Sequence, residues 1–388
     1  MKSARFARAA ALGALAFTVA FTPSALAGET LSGAGASSIN AFWDLCRTSY
    51  QKDTDNVFPY VGTGSGDGKK AIAAGTVDVA FSDSVNTAAD KPATMIHVPA
   101  VAWPVAVMYK WAGNTTKPIT LSTETIAKIF ARKITMWNDK DIVADNNKSY
   151  QVPVYKVVNG KTVLDSKGAP EILRYKTVTT RLTLPSKPIT VIYRASTSGT
   201  TNNFVTALNK LHPTIWTKPG NDSFETAYPG SVSDDPAGLR SGKGSEGVGQ
   251  LAKDTPYSIT YNEIRFATVY GLGVANVINA AGKAITPGTD GVLAAFSAAK
   301  IDADTGVVTF NYGSTLEGQY PFSATTYAMV LTNLNTVKTP EKAKAVKGLI
   351  EYIAFNCPSS FPQAGMAAIT KTSDLGKVVL SQTAKIKQ

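Results

Sequence analysis

Three short polar segments have a composition that suits the binding of an oxyanion. They are residues 33–38 (GAGASS), 62–68 (GTGSGDG) and 194–200 (RASTSGT), each between a predicted strand and a predicted helix. A helix N-terminus has unpaired backbone N–H groups and partial positive charge, and glycine lets the backbone approach a ligand closely. Three such termini that converge would surround a tetrahedral anion. Arg194 would add a positive charge and two aligned donors.

Each segment alone also has an ordinary structural interpretation. Serine at the start of a helix commonly caps that helix, and glycine-rich turns are common in all folds. For any single segment this structural interpretation is favoured. The combination of three segments, with an arginine directly before the third helix, favours anion binding.

Asp83 lies at the end of a predicted strand, in the segment 81–84 (FSDS). A carboxylate repels an anion unless the anion carries a proton that it donates to the carboxylate. Hydrogen phosphate carries such a proton at neutral pH and sulfate does not. A site of this kind rejects a ligand that lacks the proton by roughly 10⁴–10⁵. The alternative is that Asp83 caps the turn that follows the strand.

Helical and strand patterns alternate along the chain. Apolar residues at helical spacing from Ile39 to Tyr50 predict a helix, Ser122 is a predicted helix cap, and Pro340 is a predicted first helical residue. This alternation predicts an α/β fold with two lobes, each with a mainly parallel sheet flanked by helices and with the ligand in the cleft. Further predicted elements are strands at 57–61, 77–81, 189–193 and 325–332, a buried strand pair within 100–109, and helices at 69–74 and 200–211.

The first 27 residues predict a secretory signal peptide. Three basic residues precede an apolar stretch, 9–21, that is too short for a stable membrane anchor, and Ala25 and Ala27 are the small residues of a cleavage site. We predict cleavage after Ala27. The alternative, a short membrane anchor, is less favoured, and no cysteine for lipidation follows the stretch. The mature protein is therefore expected to be periplasmic, secreted or at the cell surface.

Composition and charge narrow the class of protein. The roughly 360 residues after the signal peptide suggest two domains. Without the three basic residues of the signal, 36 basic and 28 acidic side chains remain, a formal charge of +8 that favours anionic ligands. Lys and Arg are scattered, so nucleic acid is not a predicted partner. We expect a monomer.

Few residues are available for metal binding or for histidine-based catalysis. The chain has two histidines, His97 and His212, in unrelated contexts, so we predict no metal, no cofactor and no catalytic triad. Its two cysteines, Cys46 and Cys357, are more often paired than free in an exported protein. Two buried thiols remain the alternative.

Two segments depart from the α/β pattern. Residues 150–188 contain a predicted β-hairpin, Val154–Val158 and Lys161–Leu164, because the Asn159-Gly160 pair between them suits a tight turn. Residues 275–319 are rich in Gly, Ala and Thr and weakly patterned. We interpret both as insertions.

The motifs together resemble those of the substrate-binding proteins of phosphate ABC transporters, in register from about Leu31 to the C-terminal helices. Residues 33–37 are similar to the G-A-G-A-[TS] motif of that family, and residues 60–68 with 77–83 are similar to G-x-G-S-x-x-G…D-x-x-x-S-D. The further matches are 128–139 (I-[YF]…I-x-x-W-[ND]-D), 193–201 (R-x-D-x-S-G-T-[ST]) and 242–247 (G-K-G-x-x-G).

This resemblance implies a non-enzymatic receptor that captures inorganic phosphate with high affinity and delivers it to the permease subunits of an ABC importer. It implies one lobe made of 28–112 and 320–388 and a second made of 113–319. Cys46 and Cys357 then share a lobe, which supports a disulfide. The implied phosphate ligands are Ser37, Ser38, Ser65, Asp83, Arg194, Ser198, Gly199 and Thr200.

One departure from the family pattern concerns Arg194. The family has an aspartate two residues after this arginine that restrains the guanidinium, and here the position is Ser196. Arg194 is then either freer or held by another carboxylate. Two other functions stay open: an exported hydrolase of phosphate esters, and a binder of another oxyanion or an adhesion protein on the same fold.

Overall fold

A computed structural model describes residues 28–87, 89–111, 118–333, 339–360, 363 and 365–387. The predicted signal peptide lies outside these residues and stays a prediction. The strands are β1 (Gly33–Gly35), β2 (Tyr60–Val61), β3 (Val79–Ser82), β4 (Met95–Lys110), β5 (Thr120–Ser122), β6 (Ser149–Tyr155), β7 (Val157–Val158), β8 (Lys161–Thr162), β9 (Ile172–Thr179), β10 (Thr190–Arg194), β11 (Leu239–Gly242), β12 (Ser258–Glu263), β13 (Gly273–Val274), β14 (Asn276–Ile278), β15 (Ala284–Ile285), β16 (Lys300–Ile301), β17 (Val308–Thr309) and β18 (Ser323–Leu331).

Helices cover the faces of the main sheet, and within the described residues none is long and apolar enough to cross a membrane. Two short 3-10 helices, Ser37–Ile39 and Val232–Asp234, accompany them. The α-helices are α1 (Asn40–Thr54), α2 (Ser65–Ala73), α3 (Thr123–Phe130), α4 (Lys140–Asp145), α5 (Gly199–Leu211), α6 (Phe224–Ala227), α7 (Gly244–Asp254), α8 (Arg265–Tyr270), α9 (Thr289–Ser297), α10 (Pro340–Phe355), α11 (Cys357–Ser360) and α12 (Asp374–Thr383).

The main sheet has nine strands in two halves. Its order is β11-β10-β12-β4-β18-β3-β1-β2, and β13 pairs with β4 at the side. In one half β1 pairs in parallel with β2 and β3, and in the other β10 pairs in parallel with β11 and β12. The strands between these parallel cores, β4 and β18, pair antiparallel with their neighbours. The predicted two-lobed α/β fold is confirmed, with antiparallel crossing strands added to each parallel core.

Strand β4 connects the two halves. It pairs with β18 over Met95–Pro104 and with β12 over Val105–Lys110, and its residues are buried except near the ends. A strand buried on both faces has a continuous apolar sequence, which explains the long apolar run in this region. The predicted strand pair within 100–109 was therefore wrong, because the run is one continuous strand.

The predicted helix faces and caps agree with the structure. In α1 the side chains of Phe42, Trp43, Cys46 and Tyr50 are buried against the core. The Ser122 hydroxyl accepts a hydrogen bond from the Thr125 N–H at 3.1 Å and so caps α3. Each side-chain cap of this kind contributes about 1 kcal/mol to the stability of the helix.

The two weakly patterned segments are ordered. The predicted hairpin is present as β7 and β8, and Asn159 and Gly160 in its turn have φ of 49° and 75°. A second ribbon, β6 paired with β9, extends the same insertion. In the other segment, α9 contacts β4 and β18 and α12 contacts β16. These contacts place part of 275–319 beside the predicted first lobe, and the lobe boundaries stay a proposal.

A disulfide joins the N-terminal and C-terminal parts of the chain. Cys46 in α1 is bonded to Cys357 at the start of α11, with the two Cα atoms 5.7 Å apart and 311 residues between them in sequence. The predicted pairing of the cysteines is confirmed.

Removal of this disulfide should lower the stability of the protein without changing its fold. We expect the double variant Cys46→Ala/Cys357→Ala to lose about 2–4 kcal/mol of unfolding free energy, because the cross-link restricts the unfolded chain over a long loop. Urea unfolding followed by circular dichroism measures this loss, and reduction of the wild type with dithiothreitol is the matched control. An unchanged unfolding midpoint in both samples would contradict the structural role of the disulfide.

Candidate anion-binding site

The predicted polar segments meet at the carboxyl ends of the parallel strands. In open α/β sheets, ligands bind outside these strand ends. Asp83 directly follows β3, Arg194 ends β10, and Ser65 is the first residue of α2. This helix begins four residues earlier than predicted, so Ser65 lies at its N-terminus. The structure brings together all eight predicted residues, and all are buried: Ser37, Ser38, Ser65, Asp83, Arg194, Ser198, Gly199 and Thr200.

The carboxylate of Asp83 is the most densely hydrogen-bonded group of the site. Its Oδ1 accepts from the hydroxyls of Ser38 at 2.8 Å and Thr326 at 2.6 Å, and its Oδ2 accepts from Thr200 at 3.0 Å. An ionised carboxylate has about four lone-pair positions. Three are occupied by these hydroxyls, so about one acceptor position, on Oδ2, remains for a further donor.

The environment of Asp83 acts on its pKa in two opposing ways. Burial raises the pKa because the ionised carboxylate loses hydration, whereas the three hydroxyl donors and the Arg194 charge lower it. The net pKa is raised. The side chain is 3% exposed, so its interactions act with little solvent screening.

Arg194 is held by neutral hydroxyl groups. Its Nη2 donates to Ser196 Oγ at 3.1 Å and its Nη1 approaches Ser245 Oγ at 3.4 Å. In the described residues no carboxylate lies within ion-pair distance of the guanidinium, and the buried Nε has no hydrogen-bond partner. Ser196 therefore restrains the arginine without neutralising it. Of the two expected alternatives, a freer arginine agrees better with the structure than one paired with another carboxylate.

Sequence reasoning did not identify Ser245, which lies at the start of α7 within the 242–247 motif. Its hydroxyl is 3.0 Å from Ser37 Oγ, and its backbone N–H donates to the same Ser37 oxygen at 3.2 Å. Both serines are buried. The N-terminus of a fourth helix thus contacts the segment that begins at Ser37 and lies beside Arg194. The sequence signal was present, since this serine follows a strand and begins a helix, as Ser65 does.

Glu263 is a second carboxylate that sequence reasoning missed. It ends β12, is 3% exposed, and its Oε1 lies 3.1 Å from Thr200 Oγ1. Its Oε2 is buried without a hydrogen-bond partner. Burial, with a contribution from nearby Asp83, raises the pKa of Glu263 to about 7. The available signal was a carboxylate at the end of a strand, the same signal that identified Asp83.

Contacts between the two halves of the molecule close the site. Lys69 in α2 forms an ion pair of 2.9 Å with Asp222, and the Ser84 hydroxyl donates to the same carboxylate at 2.8 Å. Asn40 in α1 donates to Glu246 in α7 at 3.3 Å. Because the polar groups of the site are almost fully buried, a ligand reaches them only when the two halves move apart.

Gly199, at the start of α5, marks the closest approach of the two halves. A Cβ atom at this position would lie 2.6 Å from the Ser84 N atom and 2.7 Å from Asp83 backbone and side-chain atoms. Backbone atoms cannot move aside, whereas the end of a flexible side chain can. Only glycine therefore lets α5 contact the segment after β3 in the closed conformation.

We expect Gly199→Ala to weaken ligand binding by hindering closure. Overpacking of a close contact costs about 1–3 kcal/mol, which corresponds to roughly 5- to 150-fold in the dissociation constant. Urea unfolding of the ligand-free variant should be nearly unchanged, because the clash exists only in the closed form. Gly348→Ala is the control, since a Cβ there meets no atom within 4 Å. Wild-type affinity in Gly199→Ala would show that closure does not need this contact.

Two parallel sheet cores, joined by long crossing strands around a buried polar site, form the two-lobed architecture of extracytoplasmic binding proteins. The chain belongs to the PBP superfamily, because the family model described as the PBP superfamily domain matches residues 21–356.

Named relatives and solved structures resemble the chain over most of its length. The phosphate-binding protein PstS of Methanocaldococcus jannaschii is 29% identical over 323 residues, 78% of this chain and 73% of the relative. A structure of a high-affinity periplasmic phosphate-binding protein with bound phosphate superposes with a TM-score of 0.65, 20% identity, and 92% and 93% of the two chains covered. The structure of a phosphate ABC transporter substrate-binding protein of Clostridium perfringens, also with bound phosphate, superposes with a TM-score of 0.55 and 13% identity. The match covers 88% of this chain and 100% of that one.

Proposed function

We propose that the protein captures inorganic phosphate outside the cytoplasmic membrane and delivers it to an ABC importer. The observation that carries this proposal is the burial of Asp83 and Arg194 in one site, close enough for the arginine charge to act on the carboxylate. Arg194 supplies positive charge and donors for an anion, and Asp83 has about one acceptor position left for a proton of that anion. Hydrogen phosphate meets both requirements, because it is an anion with one P–OH group.

The remaining ligands follow from the same arrangement. The first N–H groups of α5, those of Gly199 and Thr200, have no partner within the helix and suit phosphate oxygens. We assign the hydroxyls of Ser37, Ser65 and Ser198 to the remaining oxygens of the anion. The Ser38 hydroxyl is engaged by Asp83, so we assign its backbone N–H to the ligand.

The relatives support the transport context of this proposal. Their names describe phosphate-binding proteins, one periplasmic and one a substrate-binding protein of a phosphate ABC transporter. By analogy with these relatives, we propose that this chain is a periplasmic or secreted receptor without enzymatic activity. Its partners are phosphate and the permease subunits of the importer. It acts as a monomer without a metal or other cofactor. The predicted signal peptide is consistent with this location.

Equilibrium dialysis of the mature, ligand-stripped protein against radiolabelled phosphate tests the proposal. We expect one phosphate per chain and no competition by excess sulfate or molybdate. A chromogenic phosphate ester added to the same preparation should not be hydrolysed. A metal-dependent phosphatase needs a cluster of metal ligands, and no group of three or more His, Cys, Asp or Glu residues that could hold a metal ion occurs in the described part of the chain. Displacement of phosphate by another oxyanion, or turnover of the ester, would overturn the proposal in favour of a different binder or a hydrolase.

A further inference from the structure

The geometry points to Glu263 as a proton-carrying group of the anion site, so that phosphate is captured together with one additional proton. Hydrogen phosphate shares its own proton with Asp83, and a second proton resides on Glu263 while the ligand is bound. Affinity then decreases as pH rises above neutral. This inference rests on the proposed function and deepens it, because it determines which protonation state of the complex is stable.

The hydroxyl of Thr200 lies between the two carboxylates of the site. Its Oγ1 lies 3.0 Å from Asp83 Oδ2 and 3.1 Å from Glu263 Oε1. A hydroxyl has one hydrogen and donates to one of these oxygens only. If both carboxylates were ionised, the other oxygen would face lone pairs at hydrogen-bond distance. A proton on one carboxylate resolves this conflict, since that group then donates to Thr200.

The proton belongs on Glu263. Asp83 accepts two further hydrogen bonds, from Ser38 and Thr326, and these stabilise its ionised form. Two hydroxyls, those of Thr200 and Ser245, favour the ionised form of Glu263, but this support is weaker because its Oε2 is buried without a hydrogen-bond partner. A protonated Glu263 donates to Thr200 while Thr200 donates to Asp83. In this series of two hydrogen bonds, each pair of facing oxygens shares one hydrogen.

The charges around Glu263 also favour its protonated form. The groups that face it are Asp83 after β3, Arg194 at the end of β10, the hydroxyl of Thr200 in α5 and the hydroxyl of Ser245 in α7. One guanidinium would have to balance two carboxylates and a phosphate dianion in a buried site, where unbalanced charge is costly. Protonation of Glu263 removes one negative charge and provides an O–H donor.

The pH dependence follows from these charges. In the closed structure, burial and Asp83 raise the pKa of Glu263 to about 7, and a bound dianion raises it further. The bound state therefore holds more protons than the free state above neutral pH. The affinity for the hydrogen phosphate dianion is full below about pH 7 and falls by up to about tenfold for each pH unit above it.

Calorimetric titration with inorganic phosphate measures the proton directly. Wild-type protein is titrated at about pH 8 in two buffers with different ionisation enthalpies, which gives the number of protons taken up per phosphate bound. We expect a value close to one. For Glu263→Gln, whose neutral amide replaces the protonated acid, we expect a value close to zero and about tenfold tighter binding at this pH. At about pH 6 the phosphate dissociation constants of the wild type and Glu263→Gln should agree within a few-fold.

Glu225→Gln is the matched control, since this exposed glutamate of the same half contacts Tyr193 and should keep the wild-type proton count. Phosphate binding by the wild type without proton uptake would overturn this inference alone. So would Glu263→Gln if it retained the uptake or lost binding at both pH values. Failure of the wild type to bind phosphate at either pH would instead overturn the proposed function.

Discussion

Asp83→Asn should reduce the preference for phosphate over sulfate by at least about 100-fold, from an initial ratio on the order of 10⁴–10⁵. The amide oxygen can replace Oδ1 and still accept from Ser38 and Thr326. The amide NH₂ then replaces Oδ2, the atom with the remaining acceptor position. It cannot accept the P–OH proton, and it no longer repels sulfate, so phosphate binding weakens while sulfate binding improves.

Competition of sulfate against labelled phosphate at neutral pH measures this change. Asp78→Asn is the control, because Asp78 is an equally buried carboxylate near the start of β3 that accepts from Ser32 and pairs with Lys342. The control should lose about 1–3 kcal/mol of stability with unchanged selectivity. If Asp83→Asn retained the wild-type selectivity, Asp83 would not be the proton acceptor.

Loss of the Arg194 guanidinium should have a similarly large effect, here on affinity itself. Truncation of one partner in a buried, hydrogen-bonded charge pair costs about 2–5 kcal/mol, so Arg194→Met should raise the phosphate dissociation constant roughly 30- to 5,000-fold. Without this cation, the anion would share a buried site with Asp83 and Glu263. Arg194→Lys should recover part of the affinity, because it restores the charge without the paired donors.

Titration of each variant with phosphate measures the loss. Arg132→Gln is the control, since Arg132 is a largely buried arginine that pairs with Asp235 at 2.7 Å and donates to the Ile189 carbonyl at 2.8 Å. This control should lose stability and keep its affinity. If Arg194→Met folded and bound phosphate as tightly as the wild type, Arg194 would not be the cation that binds the anion.

The parts of the site that could be predicted from sequence are those with a local signal. Glycine and hydroxyl residues at a helix start are visible within a few positions, and this pattern located Ser37, Ser65 and Ser198. Asp83 was found because a carboxylate at the end of an apolar strand is unusual in an anion site. The resemblance to a known family strengthened each of these predictions by matching their spacing.

The missed residues depend on how distant elements come together. Ser245 and Glu263 have the same local signals as Ser65 and Asp83, but they join the site only because β11 and β12 are neighbours of β10 in the sheet, and no pattern in 239–263 indicates that order. The role of Ser196 was open for the same reason, since its contact with Arg194 depends on side-chain geometry. The apolar run 100–109 was predicted as a strand pair, whereas β4 continues over 16 residues, beyond the usual strand length of about 3–10.

If the buried site closes on one protonated tetrahedral anion, phosphate binds and sulfate does not. Calorimetric titration of the unfolded, ligand-stripped and refolded mature protein, first with phosphate and then with sulfate near neutral pH, measures this difference. We predict tight binding of one phosphate per chain and no measurable heat with sulfate at the same concentrations. Equal binding of both anions, or of neither, would contradict closure of the site on one protonated anion.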